Sequence, residues 1–306
     1  MKNCATDEYP EIALALTRPE SLEQVRDLGP APAVADCLRR LNCPPDSIEG
    51  RAAKWPVGRI YLGNEFCERL IPKAADLQQA QEEATGQGME LTLVTPMVTD
   101  FGLERIEKLL PRLGEGSEVV INDWGVLQRV RTAYPALKPV LGRMLNKMIK
   151  DPRLPSADWT RLHPHTGRQS HFQGLLARFG IDHLEMDVPP FARPDQFEAA
   201  PMALSVHLPY GYTVKGRMCR IGSLHQKGAD KFRAAHACRK ECLDYWVEAK
   251  RPGRRPDAEL MTFQRGNSQF YRHSSEMAAA LWRAVEQKRI KRLIFSGDWH
   301  ENHRAA

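Results

Sequence analysis

The chain has 306 residues, 42% hydrophobic and 27% charged, enough for one large domain or two ordinary ones, and a composition that excludes a disordered protein. Its net charge is a modest +6, and it carries an odd number of cysteines, seven, which argues against a simple disulfide framework. No run approaches the roughly 18 apolar residues of a membrane span, and MKNCATDEYP lacks the apolar stretch of a secretory signal. The expectation is a cytoplasmic protein with reduced thiols.

Strand-like and helix-like patterns alternate along the chain. EIALALT (11–17) reads as a strand, followed by a helix opening at Pro19 and Glu20. GRIYLGN (58–64) is a second strand, and EFCERLIPKAADLQQAQEEA has helical spacing. MELTLVTPMV (89–98) precedes the amphipathic FGLERIEKLLPRL, and SEVVIND (117–123) precedes a helix from WGVLQRVRTAY. KPVLGRML (138–145) is a fifth strand. After a polar stretch come a helix at FQGLLARFG and strands at IDHLEMDV (181–188) and PMALSVHLPYG (201–211). ELMTFQRGNSQFYRH (259–273) reads as a strand or a tight hairpin around Gly266-Asn267. A helix capped by Ser274 or Ser275 leads to a last strand, KRLIFSGD (291–298).

About eight strands, most followed by helices, imply parallel pairing and right-handed crossovers. The expected fold is α/β, a (β/α)8 TIM-barrel-like single domain over 1–306, distortion allowed, with a cysteine-bearing insertion at the C-terminal face. A doubly wound open sheet is the competitor, but no GxGxxG opens the first helix. The long connections 24–56, 150–171 and 212–258 are expected at the ligand face.

Cys238 and Cys242 are spaced C-x3-C, and Cys219 lies upstream of them. Two thiols four residues apart on a helix or turn face the same way, so one metal or cluster can bind both. Arg217, Arg220, Lys227, Lys231, Arg233, Arg239 and Lys240 surround them, and positive surroundings are expected to lower thiol pKa values. Spacing alone leaves inert free cysteines equally open. In a barrel a further ligand belongs just after a strand, and Cys67 follows Asn64 there. Cys37 and Cys43, in the first long connection, are less well placed, and Cys4 lies near the terminus. Four cysteines suit zinc or an iron–sulfur cluster, and His225 and His236 keep zinc open.

The run RIYLGNEFC, then EVVINDWGVL, then PYGYTVKGRMC with the C-x3-C pair, resembles the peptidase U32 family of collagenase-like proteins, over most of the chain. Within that family it is similar to short single-domain members that act in oxygen-independent hydroxylation, including subunits of anaerobic ubiquinone-ring hydroxylases and RNA hydroxylases. The resemblance implies a [4Fe-4S] cluster on Cys67, Cys219, Cys238 and Cys242, with zinc the alternative. It also implies prephenate as a source of the hydroxyl oxygen and a heterodimer with a second family member. The gap from Cys219 to Cys238 is longer than in ubiquinone-type subunits, and the C-terminal extension usual in RNA-modifying members is missing.

The implied function is an iron–sulfur enzyme or enzyme subunit hydroxylating an aromatic or quinone-precursor small molecule. The alternatives are a non-catalytic iron–sulfur partner subunit, an RNA base-hydroxylation factor and a U32-type peptidase. The clusters KRPGRR (250–255) and KRIKR (288–292) read first as solvated faces and only second as a nucleic-acid surface. A peptidase finds little support, because neither GxSxG nor HExxH occurs.

Strand ends supply the remaining candidates. Asp123, Arg143 and His207 are the catalytic ones, Asp123 as a general acid or base and Arg143 with His207 as holders of a dicarboxylate. Asn122, Asn146, Glu185, Tyr210, Gln264, Asn267 and Asp298 are candidate substrate contacts. A structural cap or loop bond is the competing role for each. His163, His165 and His171 read as solvated histidines rather than a metal site.

Overall fold

The computed structural model describes residues 9–43, 50, 52–152, 156–233, 237–249 and 260–297. Its strands are β1 (Glu11–Leu16), β2 (Val57–Gly63), β3 (Glu90–Val94), β4 (Glu118–Ile121), β5 (Lys138–Leu141), β6 (His183–Met186), β7 (Ala203–Leu208), β8 (Tyr210–Lys215), β9 (Val247–Glu248), β10 (Thr262–Arg265), β11 (Ser268–Arg272) and β12 (Arg292–Ser296). Strands β1 to β7 and β12 pair in parallel and close into an eight-stranded barrel, with β12 between β1 and β7. The expected TIM-barrel-like fold is thus what the chain adopts, and the open sheet is excluded.

Alternation along each strand sorts side chains between two cores. Ile12, Leu14 and Leu16 of β1 point outward into the main core, as do Ile60 and Leu62 of β2 and Leu293 and Phe295 of β12. The surrounding helices cover them: α1 (Glu20–Glu23), α2 (Val34–Arg40), α3 (Ala74–Gly86), α4 (Asp100–Glu107), α5 (Trp124–Ala133), α6 (Asp158–Leu162), α7 (Ser170–Arg178) and α8 (Ser275–Glu286). Local signals set the starts of several. Ser274 accepts from Met277 N at the head of α8, and Asp123 accepts from Gly125 N and Val126 N at the head of α5. None of these helices is long and apolar enough to cross a membrane.

The inward residues are layered. Ala13, Tyr61, Val94, Val120, Val140 and Ile294 form a small apolar plug. On its N-terminal side Arg292 binds Glu118 through both terminal nitrogens (2.8 and 3.0 Å), Glu11 at 2.6 Å and the Tyr61 hydroxyl at 2.6 Å. Arg292 closes the basic run KRIKR and is buried, so that run is not wholly a solvated face. The pairing explains why: a guanidinium enters the lumen only where carboxylates meet it. KRPGRR lies outside the described residues.

Residues 201–211, read as one strand, form two. Pro209 has no N–H to give the ladder, and the chain leaves the barrel there, β8 pairing with β11 in a separate antiparallel sheet ordered β8-β11-β10-β9. The predicted hairpin is β10 and β11, turning through Gly266 at φ +59°. This small sheet packs Tyr210, Tyr212, Phe263 and Phe270 onto Phe66 and Met144, residues that follow β2 and β5, so the insertion sits on the C-terminal face.

Candidate functional site

Between the barrel's C-terminal ends and the insertion lies a cavity of about 550 Å³. Cys67, Cys219, Cys238 and Cys242 all line it, as do Arg143, Glu185, His207 and Asn267. Its wall draws on the stretches 215–219 and 238–243 of the third long connection. Described residues of 24–56 and 150–171 do not line it: α2 of the first packs Val34, Cys37 and Leu38 into the main core instead.

Local backbone contacts place three of the thiols. Asn64 Oδ1 accepts from Phe66 N and Cys67 N at 2.9 Å, turning the chain after β2 so that Cys67 faces the cavity. Cys219 Sγ accepts from Gly222 N at 3.1 Å and Cys238 Sγ from Lys240 N at 3.2 Å, with Lys240 left-handed at φ +63°. At Gly266 an added Cβ would stand 3.6 Å from Cys242 Sγ and 4.0 Å from Cys219 Sγ, so the hairpin turn rests against both thiols. These four side chains come from three separated segments of sequence. His225 instead meets Glu241 at 2.6 Å, and His236 lies outside the described residues.

Cys67, Cys219 and Cys242 are not acidic, contrary to the expectation from neighbouring charge. Burial pushes Cys67 up, Cys219 up to about 11 and Cys242 up to about 12. Lys215 and Arg69 offset this only partly at Cys67, and Arg265 only partly at Cys242, because desolvation outweighs them.

Among the described residues, the one set of three or more potential ligand atoms within 4.8 Å of one another is Glu65, Glu185 and His207, so the thiols are spread more widely. Four thiolates at 2.3 Å from a single zinc would stand about 3.8 Å apart. The wider spread fits a cluster in which each thiolate holds its own iron, and backbone N–H donors to sulfur are the contacts such a cluster uses.

The inner end of the cavity is an ionic assembly. Arg143 donates from Nε to Glu65 Oε1 at 2.9 Å, from Nη2 to Glu65 Oε2 at 2.6 Å, from Nη1 to Asp187 Oδ1 at 2.6 Å and to the Tyr210 carbonyl at 3.1 Å. Its guanidinium also lies 5.5 Å from the centre of the Phe66 ring and 5.7 Å from that of Tyr212. Lys150 pairs with the other oxygen of Asp187 and sits over the Tyr212 ring. Burial would raise Asp187, but Lys150 and Arg143 outweigh it and hold it near 2; burial brings Lys150 down to about 8 despite that partner. His207 Nε2 and Glu185 Oε2 share a hydrogen bond of 2.9 Å. Burial drives His207 down to about 3 and Glu185 up to about 8, so near neutrality His207 is uncharged and Glu185 largely protonated.

Other sequence candidates have structural roles. Asp123 is spent on the N-terminus of α5 and Val98 N. Asn122 braces Thr95 O and Met144 N, and Asn146 braces Glu185 O, His165 and Gly167 N. Tyr210 meets the site through its carbonyl, and Gln264 bonds Gly266 O. Asn267 reaches Phe66 O and Gly216 O at the cavity wall. Asp298 lies outside the described residues. Of the histidine loop, His165 is not solvated: it is buried between Asn146 and the Glu198 carbonyl, and burial lowers it to about 4. Glu65 and Lys150 went unrecognised in the sequence. Glu65 follows the end of β2 beside Cys67 and was legible by that position, whereas nothing marks Lys150 within KMIKDPR.

Fold and site together define a (β/α)8 barrel with a thiol-lined mouth and a buried ionic floor, an arrangement compatible with an enzyme. No protein-family model matches the chain, and no curated protein matches it. In fold it is similar to the carboxyl transferase domain of Rhizobium etli pyruvate carboxylase with 3-bromopyruvate, at 8% identity and a TM-score of 0.40, covering 94% of this chain and 40% of that one. It is also similar to the spore cortex-lytic enzyme SleL of Bacillus megaterium QM B1551, at 10% identity and a TM-score of 0.27, covering 94% and 70%. The chain thus spans less than half of the carboxyl transferase chain, and neither likeness bears on its chemistry.

Proposed function

We propose that this chain is an iron–sulfur enzyme, or a subunit of one, that hydroxylates an aromatic or quinone-precursor small molecule without dioxygen. The observation that carries this reading is the convergence of Cys67, Cys219, Cys238 and Cys242 on one cavity whose far end holds Arg143, Glu185 and His207. That no three of these sulfurs lie within 4.8 Å of one another, together with the N–H donors to Cys219 and Cys238, favours a four-iron cluster over zinc. The resemblance of RIYLGNEFC and PYGYTVKGRMC to the U32 family supplies the reaction class. A bound cluster would supply electron transfer at the cavity rim.

The chain's own residues do the remaining work. Arg69, Lys215, Arg217 and Arg265 line the cavity and give it a cationic wall suited to a carboxylate-bearing ligand such as prephenate. Arg143 is saturated by Glu65, Asp187 and Tyr210, so it fixes the floor rather than gripping substrate. Glu185 and neutral His207 share a hydrogen bond at the far end of the cavity, where the pair can pass a proton to or from a bound oxygen. Purification without oxygen, with iron, sulfide and zinc analysis and an absorption spectrum, tests the reading. Iron and sulfide with a charge-transfer band support it, and a colourless protein with stoichiometric zinc would sink it.

A further inference from the structure

Apart from the thiols, the cavity contains a second set of ligand atoms. Glu65, Glu185 and His207 each place one within 4.8 Å of the other two. Glu185 and His207 come from the adjacent strands β6 and β7 and Glu65 from just past β2 across the barrel mouth, and all three are buried and face the cavity. Donor atoms at about 2.1 Å from one ion stand roughly 3 to 4 Å apart, so the set needs little rearrangement.

Glu185 provides the independent sign of a missing partner. Its side chain is fully buried, yet Oε1 meets no donor at hydrogen-bonding geometry. The Tyr61 hydroxyl, engaged with Arg292, stands near enough to favour the charged carboxylate without closing that gap. A buried oxygen left bare is costly, and buried carboxylates persist where a proton, a cation or a metal meets them. Glu65 keeps capacity as well: a carboxylate accepts about four bonds, and Arg143 uses three.

We propose that Glu65, Glu185 and His207 bind a divalent first-row transition-metal ion whose remaining coordination positions open into the cavity. Two carboxylate oxygens and one imidazole nitrogen suit manganese, iron(II) or zinc better than calcium, which takes six to eight oxygens. Three protein ligands on one side and space on the other is the arrangement of a catalytic rather than a structural ion. An oxygen-bearing ligand, a carboxylate or carbonyl, would complete it.

The probe is Mn2+, followed by loss of its free EPR signal on titration into the full-length protein purified without oxygen. One Mn2+ per chain is expected, with affinity at least tenfold weaker in Glu185→Gln and in His207→Gln. Cys67→Ser should keep Mn2+ binding while losing iron and sulfide, which separates this site from the proposed cluster. No Mn2+ binding, or binding unchanged in both variants, overturns the proposal. If a thermal melt shows that Glu185→Gln does not fold, His207→Gln decides alone.

Discussion

Replacing Arg143 with methionine tests the buried assembly that shapes the cavity floor. Arg143 is 5% exposed and gives Glu65 bonds of 2.9, 3.1 and 2.6 Å. Methionine fills much of the volume but removes all of them. Asp187 keeps Lys150 as a partner, so the uncompensated group is Glu65. Breaking a buried pair by removing one partner costs about 3–5 kcal/mol, whereas replacing both partners by uncharged groups is far milder. Arg143→Met should therefore lose about 3–5 kcal/mol, and Arg143→Met with Glu65→Gln should recover at least about 2 kcal/mol of it. Urea titration at pH 7.5 with chelator present, checked for an unchanged m-value, measures both. A single variant within about 0.5 kcal/mol of wild type would refute the reasoning, as would a double variant no better than the single.

Acid should weaken the fold through its buried histidines. Burial holds His165 and His183 at about 4, below their unfolded value of 6.5. The unfolded chain then binds more protons between those values, so stability is kept above pH 6.5 and falls as pH drops toward 4. The two histidines together should remove about 3 kcal/mol between pH 7.5 and 5.5. Glu185 gains its proton over the same range with the opposite sign, so wild type is compared with a His165→Asn, His183→Asn double variant. An equal shift of the urea midpoint in both would count against the burial of the histidines. Gly142→Ala should cost about 2–3 kcal/mol, because its Cβ would lie 2.1 Å from Asn122 Oδ1. Gly174→Ala on exposed α7 meets nothing within 4 Å and should stabilise by about 0.5–1 kcal/mol. Thermal melts of the two alanine variants, shifted in opposite directions, check the packing at both places.

The barrel was legible because each strand carries its own alternation. EIALAL spells outward Ile12, Leu14 and Leu16 against small inward Ala13 and Ala15, and the pattern survives any partner. The four cysteines were legible because Cys238 and Cys242 are spaced C-x3-C and Cys67 and Cys219 each follow a strand. Asp123 misled for the same geometric reason: the residue after a barrel strand is also the residue before a helix, and here the helix takes it. Arg292 and His165 were misread because a basic run or a histidine-rich loop looks solvated until tertiary packing supplies Glu118 or Asn146. Thiol acidity failed because sequence displays nearby lysines and arginines but not the desolvation that outweighs them.

The central claim is that four particular cysteines hold one iron–sulfur cluster at the mouth of the barrel. Iron and sulfide per chain should be counted after oxygen-free purification for wild type, Cys67→Ser and Cys43→Ser. Cys43 is buried in the main core and bonds the Gly297 carbonyl, away from the thiol-lined wall. The account predicts about four iron and four sulfide in wild type and in Cys43→Ser, and a clear loss in Cys67→Ser. A full complement retained in Cys67→Ser, or none in wild type, would contradict it.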